Sequence, residues 1–198
     1  NLHLTTDDFT FVRRICQLVD GLPLGLELAA SWVRTMSVSE IAQEIEKGLD
    51  LLTTTARDVP QRHRSIRAVF DQSWILLSEQ ECDAMKQLSV FRGGFTRRAA
   101  ERVTGATLSV LSSLVDKSLV RRTEANRYDL HELMRQYAYE QSVMSGQVEA
   151  ARNRHLEFFL LLAEQSRSKL RGPEQLTWLN CMDQDYDNLR AALEWSLR

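Results

Sequence analysis

Apolar residues recur at helical spacing along most of this chain, and residues that interrupt helices are scarce. The sequence contains only 8 glycines and 3 prolines among 198 residues. Apolar side chains three or four positions apart form one stripe on a helix, so the expected fold is a set of packed helices. A clear apolar stripe begins next to Pro23 and consists of Leu22, Leu26, Ala29, Val33 and Met36. The expected fold class is therefore mainly α.

Capping residues and chain breaks place the ends of the helices. Asp7 or Asp8 can cap a first helix, which ends before Gly21-Leu22-Pro23. The second helix starts at that break, because proline is tolerated in a first helical turn. Ser37 or Ser39 can cap the third helix. Further helices are predicted over about residues 65–77, 79–90, 96–104, 107–117, 132–144, 148–170, 174–182 and 185–197.

One β-hairpin is predicted among these helices. Two short strand-like runs, 119–123 and 127–131, surround Glu124-Ala125-Asn126. Several helices followed by one hairpin are the outline of a winged helix, and a polar run that contains Pro60 predicts a linker before it. We expect four parts, and we interpret the last as the start of a stacked helical repeat: a helical domain over 1–55, a linker over 56–64, a winged helix over 65–145 and a helical segment over 146–198.

Composition and motifs exclude several classes of function. The 25 Lys and Arg against 27 Asp and Glu give a net charge of −2, which argues against a protein that coats nucleic acid or an anionic membrane. No apolar run reaches the ~18–20 residues that span a bilayer. The sequence contains no GxxxxGK[ST] or GxGxxG phosphate-binding loop, no CxxC pair and no GxSxG elbow. We therefore expect a cytoplasmic segment of a longer polypeptide that has no catalytic centre and no metal site.

A basic block leaves a DNA-binding interpretation open. Residues 61–128 contain 12 basic and 7 acidic residues, a net charge of +5. The helix that would enter the major groove, 107–117, has only one cation, Lys117, although reading of bases and phosphates needs several. The cations that could hold phosphates lie elsewhere, on the preceding helix and on the hairpin, and are Arg97, Arg98, Arg102, Arg121, Arg122 and Arg127.

Five sequence blocks carry a family resemblance. The run Gly21-Leu22-Pro23-Leu24 resembles the GLPL motif of the STAND class of P-loop ATPases, the NB-ARC group, and more closely that of its bacterial transcriptional regulators. Further blocks match the pattern of these regulators in the same order. They are RHRSIRAVFDQSW (62–74), LSVFRGGFTRRAAERV (88–103), LSSLVDKSLV (111–120) and RYDLHELMRQYA (127–138), and the tail DNLRAALEW (187–195) resembles the approach to their superhelical, TPR-like repeats.

The resemblance implies an ADP/ATP switch. In such proteins the nucleotide, with magnesium, sits between an upstream P-loop domain and the arm that this chain represents. The GLPL proline, here Pro23, packs near adenine and ribose, and a histidine in a Met-His-Asp-like motif, here His131, contacts the β-phosphate of ADP. This chain has Leu130 and Glu132 where the motif has methionine and aspartate. The resemblance also implies partners in the same chain, namely the P-loop domain and downstream repeats, and self-assembly on activation, in a parent that is a slow ATPase.

Three interpretations follow. In the first, this segment is the regulatory arm of such a signal-transducing regulator, with Pro23 and His131 facing the nucleotide. It needs no cofactor by itself and contacts neither nucleic acid nor membrane. In the second, the winged helix is a DNA-binding output module that holds phosphates through Arg97, Arg98, Arg121 and Arg122. In the third, the chain is a passive helical scaffold for protein–protein interaction.

Overall fold

A computed structural model describes residues 6–53, 65–123 and 126–198, with side chains from Asp8 onward. In this part of the chain the elements are α-helices, one 3₁₀ turn and one two-stranded antiparallel hairpin, which confirms the expected mainly α fold. In chain order they are α1 (Thr6–Leu18), α2 (Pro23–Ser31), the 3₁₀ turn Trp32–Arg34, α3 (Val38–Lys47), α4 (Ile66–Ile75), α5 (Glu79–Leu88), α6 (Arg97–Thr104), α7 (Leu108–Asp116), β1 (Arg121–Arg122), β2 (Tyr128–Asp129), α8 (Glu132–Met144), α9 (Val148–Lys169), α10 (Gln175–Gln184) and α11 (Tyr186–Ser196).

The described residues group into two compact units. Unit 1 contains the chain up to Leu77 together with His131–Tyr137, and unit 2 contains Ser78–Leu130 and Ala138–Arg198. Helix α8 thus gives its first residues to unit 1 and the rest to unit 2. The predicted linker 56–64 lies outside the described residues, and the four-part domain division stays a prediction.

In unit 1, α1 packs against α3, and α2 contacts α1. Ser37 caps α3 with a full capping box, in which its hydroxyl accepts from the Glu40 N–H and the Glu40 carboxylate accepts from the Ser37 N–H. Of the two serines predicted to cap α3, Ser37 is the cap, whereas the predicted caps Asp7 and Asp8 already lie inside α1. The buried core of these helices is Ile15, Leu18, Val19, Leu28, Ala29, Val38, Ile41, Ala42, Ile45, Leu49 and Leu52.

Helix α2 is shorter than the apolar stripe that predicted it. The stripe continues to Met36, but the α-helix ends at Ser31 and a 3₁₀ turn follows. The Trp32 indole N–H donates to the Leu51 carbonyl oxygen at 2.7 Å. This bond ties the turn to the segment after α3, so a tertiary contact rather than the local pattern sets the end of the helix.

Unit 1 also contains α4 and the first turns of α8. The Tyr137 hydroxyl donates to Asp71 at 2.5 Å. The Tyr137 ring makes edge contacts with Phe70 and Trp74, at centroid distances of 5.6 and 5.3 Å. These contacts fix the start of α8, and with it His131, in the same unit as α1 and α2.

Unit 2 joins α5–α7 and the hairpin to α9–α11. Helices α5 and α6 both contact α9, and α9 packs along α11. The strands are much shorter than the predicted runs, because the N–H groups of Leu119 and Val120 bond to the Leu114 carbonyl at the end of α7 instead of to a partner strand. Tyr128 forms one further antiparallel bridge, to Phe95.

No helix in the described ranges has both the length and the apolar character needed to cross a membrane.

Candidate functional site

The turn between α1 and α2, directly before Pro23, has an unusual backbone conformation. Asp20 and Gly21 are consecutive left-handed residues, with φ of 47° and 68°. The Gly21 N–H bonds back to the Cys16 carbonyl, so the turn closes the end of α1 before Pro23 starts α2. Pro23 is exposed at the first turn of α2.

Close packing fixes the angle at which α2 leaves this turn. A Cβ atom at Gly25 would lie 3.0 Å from the Cβ of Val19 and 3.7 Å from the Cβ of Leu22. Gly25 and Val19 are both buried. The second glycine of the Gly-Leu-Pro-Leu-Gly run therefore allows α2 to approach the end of α1 closely.

His131 lies directly before α8 and meets this turn within unit 1. Its Nε2 lies 3.9 Å from Asp20 Oδ2. The side chains of His131 and Asp20 are 20% and 34% exposed, and the Nε2 atom of His131 itself is buried. The structure therefore brings His131 to the residue that immediately precedes the Gly-Leu-Pro-Leu run.

The backbone of α8 sets the orientation of the imidazole. The Leu133 N–H donates to His131 Nδ1 at 3.2 Å. Because Nδ1 is the acceptor in this bond, the proton of the neutral ring is on Nε2, the nitrogen that faces Asp20. His131 thus acts as an N-terminal cap of α8 through one nitrogen and presents an N–H donor through the other.

Glu132, where the resemblance expects aspartate, bonds to residues further along α8. Its carboxylate accepts from the Arg135 guanidinium at 2.7 and 2.8 Å and from the Gln136 amide at 3.2 Å. The Glu132 side chain thus binds Arg135 and Gln136 on α8, while the bond from the Leu133 N–H orients the imidazole ring of His131.

The arginines of the alternative DNA-binding interpretation lie in unit 2, and three of them have local partners. Arg97 pairs with Glu101 one turn along α6, at 3.3 Å. Arg121 pairs across the hairpin with Asp129 at 2.9 Å. Arg122 donates to the Asn126 side chain at 2.6 Å. Arg98 is exposed on α6.

Arg127 differs from the other two hairpin arginines because it is buried. It is 8% exposed and pairs with the buried Asp185, with its Nη2 at 2.5 Å from Oδ1. The same nitrogen donates to the Gly94 carbonyl at 2.7 Å. Arg127 was expected to be able to hold a phosphate. That expectation is wrong, because its guanidinium donates to acceptors inside the protein, Asp185 and the Gly94 carbonyl.

Lys117, the one cation of the predicted groove-reading helix, is bound to a buried carboxylate. Its Nζ lies 2.6 and 2.7 Å from the two oxygens of Glu81, which also accepts from the Ser113 hydroxyl at 2.6 Å. The Lys117 ammonium and then the Ser113 hydroxyl lower the pKa of Glu81 from 4.5 to about 2. The Lys117 charge is thus compensated within unit 2.

His155 is a core residue of unit 2. It is 3% exposed, packs against Phe91 and Phe159, and lies 3.3 Å from Asn188 Oδ1 through Nε2. Burial lowers the pKa of His155 from 6.5 to about 4, so the ring is neutral at neutral pH.

Metal-ligating residues do not gather in the described part of the chain. Among these residues no group of three or more His, Cys, Asp and Glu side chains could hold a metal ion. Cys16, Cys82 and Cys181 form no disulfide bonds.

The chain is similar to parts of considerably longer proteins and spans less than half of their length. A protein of Mycobacterium tuberculosis named "putative HTH-type transcriptional regulator" is 35% identical over 195 residues, which cover 93% of this chain and 22% of that protein. A Mycobacterium bovis protein of the same name has the same identity and coverage. An uncharacterized M. tuberculosis protein is 33% identical over 165 residues, 77% of this chain and 42% of that protein. No protein-family model matches the chain.

Proposed function

We propose that this chain belongs to a transcription regulator and serves as its regulatory arm, which closes over ADP bound to an upstream P-loop domain. The observation that carries the proposal is the approach of His131 to Asp20 at the start of the Gly-Leu-Pro-Leu turn. Two residues that the family resemblance assigns to the nucleotide, Pro23 and His131, belong to the same compact unit. The relatives named as HTH-type transcriptional regulators support the role in transcription. They are named as regulators rather than enzymes, in agreement with the expectation that this segment has no catalytic centre.

The residues present fit a nucleotide phosphate. His131 offers a single N–H donor at Nε2, and the Leu133 N–H holds the ring in that tautomer. An imidazole N–H donates to a phosphate oxygen as readily as to a carboxylate. Pro23, exposed at the first turn of α2, offers an apolar surface without an N–H. In the full-length parent, ADP or ATP would bind together with magnesium, and its phosphate would supply the negative charge that this N–H donor recognises.

In this proposal the Asp20 carboxylate opposes the binding of nucleotide phosphate at His131. That carboxylate lies 3.9 Å from His131 Nε2, beyond hydrogen-bond distance, on the side where a phosphate oxygen would have to approach, so the carboxylate and the phosphate compete for the place beside Nε2. Two like charges beside one donor also repel each other. In this proposal Asp20 holds His131 when no nucleotide phosphate is present, and removal of the Asp20 charge strengthens nucleotide retention. Differential contacts of this kind typically couple two states by ~1–3 kcal/mol.

The experiment measures ADP affinity in the parent chain that contains the upstream domain. His131→Asn keeps an acceptor in place of Nδ1 for the Leu133 N–H but lacks the Nε2 donor, so it removes recognition without removing the helix cap. We expect ADP affinity to fall about tenfold in His131→Asn, which corresponds to about 1.4 kcal/mol. We expect it to rise in Asp20→Asn, which tolerates the left-handed backbone at this position. The control is Arg97→Ala on α6.

The outcomes separate the three interpretations. A lower ADP affinity in His131→Asn together with a higher one in Asp20→Asn supports the switch. Tight ADP binding that neither variant changes would keep a nucleotide-binding parent but remove His131 from its site. Absence of ADP binding would favour the scaffold or the DNA-binding module, and salt-dependent DNA binding distinguishes these two, because counterion release makes binding to phosphates fall with added salt.

A further inference from the structure

A groove between α6 and α9 in unit 2 combines an apolar floor with a cationic rim. Its volume is about 180 Å³. The floor is made by Phe158, Leu161 and Leu162 of α9, and the rim by Arg98 and Arg102 of α6, with Gln165 at one side. Among the described residues that line it, none is a carboxylate.

The floor of the groove is firmly supported and open to solvent. Phe158 packs edge-on against the buried Phe159 at a centroid distance of 5.1 Å. Leu161 is 49% exposed, and the neighbouring Leu160 is 53% exposed. An apolar cavity of about 150 Å³ holds a benzene-sized group. The groove is therefore large enough for one large apolar side chain.

The two rim arginines are available for a partner. Arg98 and Arg102 are four residues apart, so they lie on the same face of α6, and both are exposed. Among the described residues, neither of them makes a hydrogen bond or an ion pair through its side chain, whereas Arg97 on the same helix pairs with Glu101. Two uncompensated guanidinium groups beside an apolar pocket attract carboxylates that flank an apolar side chain.

We propose that this groove binds an acidic peptide segment of a protein partner, which inserts one large apolar side chain between α6 and α9 and sets carboxylates against Arg98 and Arg102. The apolar floor decides between this partner and DNA. Phosphates would use the two arginines but would leave Phe158 and Leu161 in contact with water, whereas an acidic segment with an apolar anchor uses both parts of the groove. The inference does not depend on the nucleotide switch, because all its residues lie in unit 2.

The experiment selects ligands for this 198-residue chain from displayed random 12-residue peptides. We expect the recovered peptides to carry a large apolar residue flanked by aspartate or glutamate. A synthetic copy of one of them should bind in a fluorescence-polarisation assay. Its affinity should fall at least tenfold for an Arg98→Ala/Arg102→Ala variant and for Leu161→Ser, a half-exposed position, while Arg97→Ala, outside the groove, should bind like the unaltered chain. Circular dichroism checks that each variant is folded.

Several results would overturn the proposal. Recovered peptides without acidic residues, equal binding to the double variant, or the absence of any recovered peptide would each reject an acidic partner. Binding of duplex DNA that is lost in the double variant would assign the arginines to phosphates. Concentration-dependent dimerisation that is lost in Leu161→Ser would assign the groove to a second copy of the chain.

Discussion

His131 Nε2 lies 3.9 Å from Asp20 Oδ2, while Nδ1 of the same ring caps α8 by accepting from the Leu133 N–H at 3.2 Å. The contributions of the two ring nitrogens are therefore separable, since one caps a helix and the other faces the turn between α1 and α2. Substitutions that preserve one nitrogen position at a time can measure them independently.

The capping role predicts a stability difference between two His131 variants. His131→Ala leaves the Leu133 N–H without its side-chain acceptor, and loss of such a cap costs about 1 kcal/mol. His131→Asn places an amide oxygen near the former Nδ1 and should retain most of that stabilisation. The midpoint of urea unfolding should therefore fall for alanine and change little for asparagine. Equal losses in both variants would show that the ring's second nitrogen, not the cap, stabilises the fold.

At Gly25, substitution by alanine is expected to lower stability, although the same substitution usually stabilises a helix. Replacement of a helical glycine by alanine normally stabilises by about 0.5–1 kcal/mol. At Gly25 the new Cβ would lie 3.0 Å from the Cβ of the buried Val19, which is tighter than ordinary contact, so Val19 must give way by a few tenths of an ångström. We expect Gly25→Ala to destabilise by about 1–3 kcal/mol, as overpacking does.

The matched control for this variant is Gly172→Ala. A Cβ there would meet only the Lys169 carbonyl oxygen, at 3.9 Å, which is ordinary contact. Thermal unfolding followed by circular dichroism should show a lower midpoint for Gly25→Ala and little change for Gly172→Ala. A midpoint for Gly25→Ala at or above that of the unaltered chain would mean that the helices adjust without cost.

The Arg127–Asp185 pair predicts a strong effect from removal of one partner. Both side chains are buried, and Asp185 also accepts from the Asn188 amide at 3.3 Å. Arg127→Ala leaves the Asp185 charge buried without its cation, and such a change costs about 3–5 kcal/mol. Arg127→Lys should recover only part of this loss, because an ammonium cannot reach both Asp185 and the Gly94 carbonyl with the fork geometry of arginine.

A double variant distinguishes charge imbalance from lost packing at this pair. Arg127→Met with Asp185→Leu removes both charges, so we expect it to be more stable than either single variant in urea unfolding. A double variant as unstable as Arg127→Ala would show that the backbone bonds of the guanidinium, to Gly94 and Gln184, matter more than the ion pair.

Much of the fold followed from local signals, whereas the contacts that define the candidate site did not. Ser37, one of the two predicted caps, starts α3 as expected, since a cap acts on neighbouring residues. The burial of Arg127 could not be predicted, because its partner Asp185 lies far along the chain and a hairpin arginine usually faces solvent. The approach of His131 to Asp20 is also non-local. Only the family resemblance pointed to His131 and to the turn after Asp20, and it did not give their contact.

His155 predicts acid sensitivity in a defined pH window. Its pKa is about 4 in the folded chain because of burial, against an ordinary value of 6.5. The unfolded chain therefore binds an extra proton between these values, and folding stability falls as the pH drops from 6.5 to about 4, by up to about 3 kcal/mol. His155→Gln can keep a hydrogen bond to Asn188 but does not titrate, so its stability should be lower at neutral pH yet nearly constant across this window.

Glu81 provides an internal reference, because it titrates at lower pH. Its pKa is lowered from 4.5 to about 2, so the stability that it contributes is present above pH 4.5 and is lost only as the pH falls from 4.5 towards 2. Glu81→Gln removes the charged partner of Lys117 and should cost about 2 kcal/mol at neutral pH, since hydrogen bonds to charged groups contribute about 1.5–3 kcal/mol. It should leave the slope of stability between pH 6.5 and 4.5 unchanged. Midpoints of urea unfolding, measured every half pH unit, test both residues together. If the stability of His155→Gln still falls with pH above pH 4.5, the acid sensitivity belongs to another group.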